Sequence, residues 1–410
     1  MKLLSPAIKA ASAFTLGGAA FALANLLLAR YLSTEDYGEF SLVLAIGVLG
    51  ISLGPLSLDA IVLRHRPGPR LMLFGSSLLT GAAVAAVAVA LGHFVYAIDA
   101  GFLVALFLAI TAGSVARLGA SVYQSEKRYK ISLLLIQSQN ITLIGAAIAA
   151  GLATAVSAQV VFYAYALHWS ASAIVALLTL RFVVQIQEAA GWNVPWRESL
   201  PLFGYLVTVQ LAAQLDRLII PKLLDIESLA TFGVLSALVL APFKMFQTGV
   251  GYTLVPGLRN SDSKASRRKI LVHEAGITAL VVAVGAASGF LIAPWFADLF
   301  LKGKYVLGPI LIAAAVFAGT MRVLVMFISS IVTALGDQGH LAWMNRGSWL
   351  ALAASVAGGW WGSRWGLAGL VFGFSLGSLL RAALAAAVAL KVWQKPSEQQ
   401  QASALFVKGP

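Results

Sequence analysis

Apolar residues run along this chain in long stretches, without the strict alternation of half-buried strands or the one-sided stripes of surface helices. Stretches of the roughly 20 helical residues that cross a hydrocarbon core fall near 8–29, 38–62, 71–93, 97–118, 131–153, 157–182, 199–222, 228–256, 271–296, 306–334, 341–363 and 366–393. Short polar or glycine-bearing turns separate them. The pattern predicts an all-α polytopic membrane protein with about twelve transmembrane helices. The first stretch, Ile8 to Leu28, is longer than the roughly 7–15-residue core of a cleaved signal, so it is expected to stay as the first helix.

Two of the turns carry one pattern. In residues 29–40 and 221–232 an apolar run ends near a cation, breaks at a short acidic turn and restarts, with Leu32/Leu224, Glu35/Glu227 and Phe40/Phe232 in register. The chain therefore divides into two related six-helix lobes, 1–182 and 199–393, joined by a linker at 183–198 and followed by a polar tail at 394–410 that reads as disordered. Repeats of this kind build transporters whose halves rock about a central site.

Composition agrees. Hydrophobic residues make up 60% and charged residues 11%, against about 25% charged in soluble domains. The net charge of +13 gives orientation instead of a nucleic-acid footprint. With the N-terminus cytoplasmic, the loops on that side collect Arg64, Arg66, Arg70, Lys127, Arg128, Lys130, Arg259, Lys264, Arg267, Arg268 and Lys269. The opposite loops hold only Arg30, Lys222, Lys302, Lys304 and Arg364. The positive-inside rule places both termini in the cytoplasm. The chain has no cysteine, and its five histidines are scattered without ligand spacing, so neither a metal nor a cofactor is expected. The longest polar connections, 183–198, the basic stretch 257–269 and the tail, are too short for a folded catalytic domain.

Chemistry is then expected inside the bilayer, where ionisable groups are costly and face the bundle interior or a wet cavity. Asp59, Arg117, Asp216, Arg217, Lys244, Arg322 and Arg381 stand out. On the seventh helix Gln210, Gln214 and Arg217 share a stripe, whereas Asp216 points about 100° away. Lys244, Gln247, Thr248 and Gly251 form a stripe on the eighth; Arg322, Ser329, Ser330 and Thr333 on the tenth; and Arg381, Ser378, Gly377 and Phe374 on the twelfth. Together they predict a positively charged cavity whose guest is anionic, since arginine forks and lysine ammonium groups suit phosphate and carboxylate. Plainer roles compete. Arg117 is open to snorkelling at a helix end, and Asp59 to capping or pairing with Arg64 or Arg66. Asp216 is expected to partner a cation on another helix before it carries a proton. Gln137, Gln139 and Asn140 are expected to hydrogen-bond between helices. Arg30 and Lys222 sit at the entrance between the lobes.

The segment Leu28 to Leu42 resembles the first-to-second-helix signature of polysaccharide biosynthesis transporters, the Wzx-type O-antigen flippases of the multidrug, oligosaccharidyl-lipid and polysaccharide exporter superfamily. Gln214 to Leu224 is similar to that family's seventh helix, and Tyr123 to Tyr129 and Ala334 to His340 to its paired loops after helices four and ten. The resemblance implies a V-shaped pair of lobes that moves a polyprenyl-diphosphate-linked oligosaccharide across the bilayer by alternating access, with the diphosphate near Arg217, Lys244, Arg322 and Arg381. It also implies polysaccharide assembly machinery as a partner. A multidrug exporter of the same superfamily would call for an acidic cavity, and a membrane polymerase or ligase for a sizeable extracytoplasmic loop. A purely structural membrane partner would leave the deep cations without a role.

Overall fold

The two repeated turns fold alike, and the architecture is built outward from them. Ser33 and Asp225, one residue past the matched leucines, both act as helix N-caps: Ser33 Oγ accepts from Asp36 N at 3.0 Å and Asp225 Oδ1 from Ser228 N at 2.6 Å. The acidic residues that follow lie in the first helical turn, where the helix dipole favours them. Phe40 and Phe232 are both buried. The computed structural model describes residues 6–65, 71–153, 156–183, 196–259, 261 and 263–394. The tail beyond Gln394 and most of the linker lie outside these.

The N-terminal lobe comprises α1 (Pro6–Tyr31), α2 (Thr34–Leu53), α3 (Leu58–His65), α4 (Leu71–Tyr96), α5 (Ala100–Ser125), α6 (Tyr129–Leu152) and α7 (Ala158–Val183). The C-terminal lobe comprises α8 (Trp196–Leu223), α9 (Ile226–Leu235), a π-helical turn at Ser236–Leu240, α10 (Ala241–Arg259), α11 (Lys264–Leu291), α12 (Ala293–Leu301), α13 (Pro309–Leu335), α14 (Gln338–Gly362) and α15 (Gly366–Gln394). Ten helical stretches of the described residues are long and apolar enough to cross a membrane. One of them, Gly339–Trp393, folds back as the hairpin α14–α15. With α1, which packs on α6 and α10, the twelve-span reading holds.

Three spans predicted as single helices are broken, each at a proline. The 38–62 run divides at Gly54–Ser57, where Leu56 and Ser57 take positive φ angles of 47° and 64°. The 228–256 run passes through the π turn just before Pro242, whose missing N–H cannot bond the carbonyl four residues back. The 271–296 run divides at Ile292, before Pro294. Conversely, the basic stretch 257–269 is shorter as a connection than expected. α10 continues through Arg259, and α11 begins at Lys264, capped by Ser263.

Helices meet through small residues, as they must where lipid supplies no hydrophobic drive for association. A Cβ on Gly373 would lie 2.0 Å from the Gly358 carbonyl oxygen, so α14 and α15 touch backbone to backbone. Large apolar side chains such as Leu79, Phe94, Leu152 and Leu291 point outward, 73–84% exposed. On a soluble protein that surface would be anomalous; on a membrane protein it faces acyl chains.

The lobes meet where the repeats meet. α2 packs on α8 and α9, and α1 on α10. Gly38 passes so close to α9 that a Cβ there would lie 2.4 Å from the Ile226 carbonyl oxygen, and the Tyr37 hydroxyl rests against Gly233.

Candidate functional site

α8 carries two adjacent ionisable residues, and helical geometry sends them to different partners. Asp216, 6% exposed, turns into its own lobe and pairs with the Arg322 guanidinium of α13. Arg217, on the adjacent face, lies within electrostatic range of Tyr37 in the N-terminal lobe and of Asp216 and Arg322 in its own. The expectation that Asp216 partners a cation on another helix is met. Arg322, expected as a cavity cation, is that partner.

Beside the pair lies a small cavity of about 30 Å³ lined by Ala212, Leu215, Asp216, Ala318, Arg322, Ser355, Val371, Phe374, Ser375 and Ser378. That is room for about one water, which needs roughly 10–15 Å³ and polar partners of the kind these serines offer. Phe374 and Ser378 are the α15 stripe read from the sequence. Arg381 follows Ser378 by three residues on that face, and its Nε is buried with no hydrogen-bond partner among the described residues.

Lys244 joins from α10. Its side chain is exposed, yet Arg217 and Arg322 both lie within electrostatic range, which places it in the cleft and not against lipid. What aims it is the preceding residue. Phe243, 2% exposed, is seated in slots left by Gly285 of α11 and Gly319 of α13; a Cβ at Gly319 would come within 2.6 Å of its ring. The π turn and Pro242 set the register of this insertion, and Lys244 then projects about 100° away. Gln247 is half-buried one turn on and Gln214 is buried on α8; the side chain of Thr248 lies outside the described residues.

The structure thus brings Arg217, Lys244, Arg322 and Asp216 together: three cations and one carboxylate, a net charge of +2. Such a group suits an anion with two or more oxygens to share.

Three expectations in the first lobe are revised. Asp59, expected to cap or to pair with Arg64 or Arg66, does accept a backbone N–H in the first turn of α3, from Ala60 at 3.0 Å, but its ion-pair partner is Arg117, whose Nε donates to Oδ2 at 2.8 Å; Arg66 lies outside the described residues. Arg117 accordingly does not snorkel; it turns inward, and its second contact is Ser52 Oγ at 3.4 Å. Arg64 and His65 instead meet Glu198 at the start of α8, at 2.6 and 2.8 Å. Gln137 and Asn140 bond to each other within α6, at 3.0 Å, and press on Gly17 of α1, where the side chains before Thr15 lie outside the described residues. Each lobe therefore ties an arginine of its fourth span to an aspartate of another helix.

Arg30 and Lys222, expected to flank an entrance, form a symmetric clasp. The Arg30 guanidinium lies 4.8 Å from the ring centre of Phe300 in the opposite lobe, and the Lys222 ammonium 5.1 Å from that of Tyr96 in the opposite lobe. Hydrogen bonds reinforce it. Tyr96 donates to the Leu218 carbonyl at 2.8 Å, Tyr305 to that of Ala29 at 3.3 Å, and Lys304 to those of Ala29 and Leu32. Sequence reasoning missed Tyr96, Phe300, Lys304 and Tyr305. Their only signal was that the third and ninth spans, equivalent in the repeat, both end in an aromatic.

No family model and no curated protein sequence matches the chain. Solved structures do match in fold. An inward-facing multidrug resistance MATE family transporter of the MOP superfamily aligns over 96% of this chain and 96% of its own, at 12% identity and a TM-score of 0.58. The MATE transporter VcmN of Vibrio cholerae in its bent form aligns over 95% of this chain and 98% of its own, at 16% identity and 0.53. The lipid II flippase MurJ, in an inward closed conformation, aligns over 96% of this chain and 89% of its own, at 12% identity and 0.66. At these identities the likeness establishes a common fold.

Proposed function

We propose that this protein is an alternating-access flippase of a bacterial inner membrane that carries a polyprenyl-diphosphate-linked oligosaccharide between leaflets for assembly of a surface polysaccharide. The observation that carries the reading is the net charge of +2 at the meeting of α8, α10 and α13. A diphosphate is the complementary guest, because it can accept from Arg217 and Lys244 at once. The one carboxylate in the group is committed to Arg322, which argues against a site for cationic drugs and against Asp216 as a proton carrier.

The lobes 1–182 and 199–393 would move as units. The clasp of Arg30, Lys222, Tyr96, Phe300, Lys304 and Tyr305 would close the cleft at the end opposite the basic loops, so that an anion enters from the cytoplasmic side. A ligand drives such a switch only through unequal affinity for the two states. Outward transfer of the anion is further favoured by the membrane potential, by about 2.3 kcal/mol per charge per 100 mV. No covalent step and no cofactor enter this scheme.

Equilibrium binding by the purified protein tests it, comparing a polyprenyl-diphosphate saccharide, the same polyprenol without phosphate, and a lipophilic cation. The diphosphate is expected to bind best, with affinity that falls as salt rises, and to weaken in Arg217→Gln and Lys244→Gln. Preference for the cation would sink the proposal and favour a multidrug exporter.

A further inference from the structure

Away from the cleft, at the end where the basic loops gather, an open groove of about 840 Å³ is lined by Lys264, Arg268, Lys269, Val272 and His273 of α11 with Trp393 of α15. Three cations side by side repel one another, and among the described residues no acidic side chain lines the groove to balance them. Neighbouring Arg267 is turned away, donating to Ser261 Oγ at 3.3 Å.

The groove also continues into an apolar track. Val272, Leu280, Val284 and Leu291 follow one another at intervals of seven, eight or four along α11 and share one face of the helix. They are 65%, 64%, 60% and 76% exposed. Cations, an indole at the end of a membrane helix and a bare apolar stripe below them match a molecule with an anionic head and acyl chains, the head lying where lipid headgroups lie. The tail that follows α15 is a poor alternative occupant, since residues 395–410 carry Lys395 and Lys408 against Glu398 alone.

We infer that the α11–α15 groove is a binding site for an anionic phospholipid of the surrounding leaflet, with the phosphate held by Lys264, Arg268 and Lys269 and the acyl chains laid along Val272, Leu280, Val284 and Leu291. Such a lipid would fasten α11, which stands at the margin of its lobe with little of its length buried, to the end of α15. Phosphatidylglycerol is the simplest lipid of this class.

Native mass spectrometry of the detergent-purified full chain tests the site, with phosphatidylglycerol, phosphatidylcholine of equal chain length, and water-soluble glycerophosphate added separately. Wild type is expected to retain phosphatidylglycerol in preference to phosphatidylcholine and to ignore glycerophosphate. A surface cation contributes roughly fivefold to affinity for an anionic lipid. The triple variant Lys264→Gln/Arg268→Gln/Lys269→Gln should therefore bind phosphatidylglycerol about a hundredfold more weakly. The charge-matched control Lys127→Gln/Lys130→Gln/Arg346→Gln should bind as wild type does, and matching thermal melts would show that both variants fold. Equal retention of the two phospholipids, equal loss in the control, or displacement of phosphatidylglycerol by glycerophosphate would overturn the inference. The readout is binding of an ordinary membrane lipid, so it stands or falls independently of the transport proposal.

Discussion

Removing the charge from Asp216 leaves the Arg322 guanidinium inside the C-terminal lobe without its counter-ion. The side chains are 9% and 28% exposed respectively, so neither is solvated well enough to stand alone. Breaking a buried pair by deleting one partner costs about 3–5 kcal/mol; the neighbouring cavity, which admits about one water, places this site at the lower end. Asp216→Asn is therefore expected to cost about 3 kcal/mol, or roughly a 150-fold rise in the unfolding constant. Arg322→Gln should cost a similar amount, because it strands the carboxylate. The double variant Asp216→Asn/Arg322→Gln, neutral at both positions, should recover more than half of the summed loss. Denaturant-induced unfolding of the four proteins in one detergent closes the cycle. Single losses that simply add in the double variant would show that the two side chains do not act as a pair, and with that the commitment of the cleft's carboxylate to Arg322 would be wrong.

Other consequences follow from the same contacts. Gly319→Leu would drive a side chain into the Phe243 ring and overpack the α10–α13 contact, lowering stability by about 1–3 kcal/mol in the same unfolding assay; an unchanged midpoint would contradict the seating of Phe243. Burial holds the Lys304 ammonium below its ordinary pKa of 10.5, with Asp36 opposing weakly. Between the lowered value and 10.5 the folded chain binds fewer protons at this residue than the unfolded chain, so its contribution to stability rises with pH through that window. Lys304→Met should flatten the rise, and profiles parallel to wild type would refute the assignment. The native chain has no cysteine, so one introduced at Gln247 reports access to the cleft. Arg30→Gln/Lys222→Gln, which undoes both halves of the clasp, should increase labelling of Gln247→Cys by an impermeant maleimide from the side opposite the basic loops. No increase would show that the clasp does not hold that end shut.

Spans and repeat could be read from the sequence because both depend on local pattern. Membrane thickness fixes the length of the apolar runs, and Ser33 and Asp225 cap their helices by short-range chemistry. The breaks in three of the spans were also marked, by Pro55, Pro242 and Pro294, but apolar composition runs straight through them. What periodicity could not give was the partner of each charge. Helical spacing put Asp216 and Arg217 on different faces, yet which neighbour each face meets depends on how the helices are rotated and packed. Arg322 lies 106 residues from Asp216, and Arg117 lies 58 from Asp59. In a bilayer the outer face of a helix is as apolar as its inner face, so the stripe that would orient a soluble helix is weak here. The clasp went unread for a related reason: Tyr96 and Phe300 look like interfacial aromatics until the lobes are brought together.

Translocation itself is the most direct test of the account. Protein reconstituted in liposomes, with a labelled polyprenyl-diphosphate oligosaccharide in one leaflet, should deliver the label to the other leaflet, and Arg217→Gln/Lys244→Gln should slow that delivery at equal folding and reconstitution. Transfer by wild type at the rate of protein-free liposomes, or transfer untouched by loss of both cations, would contradict it.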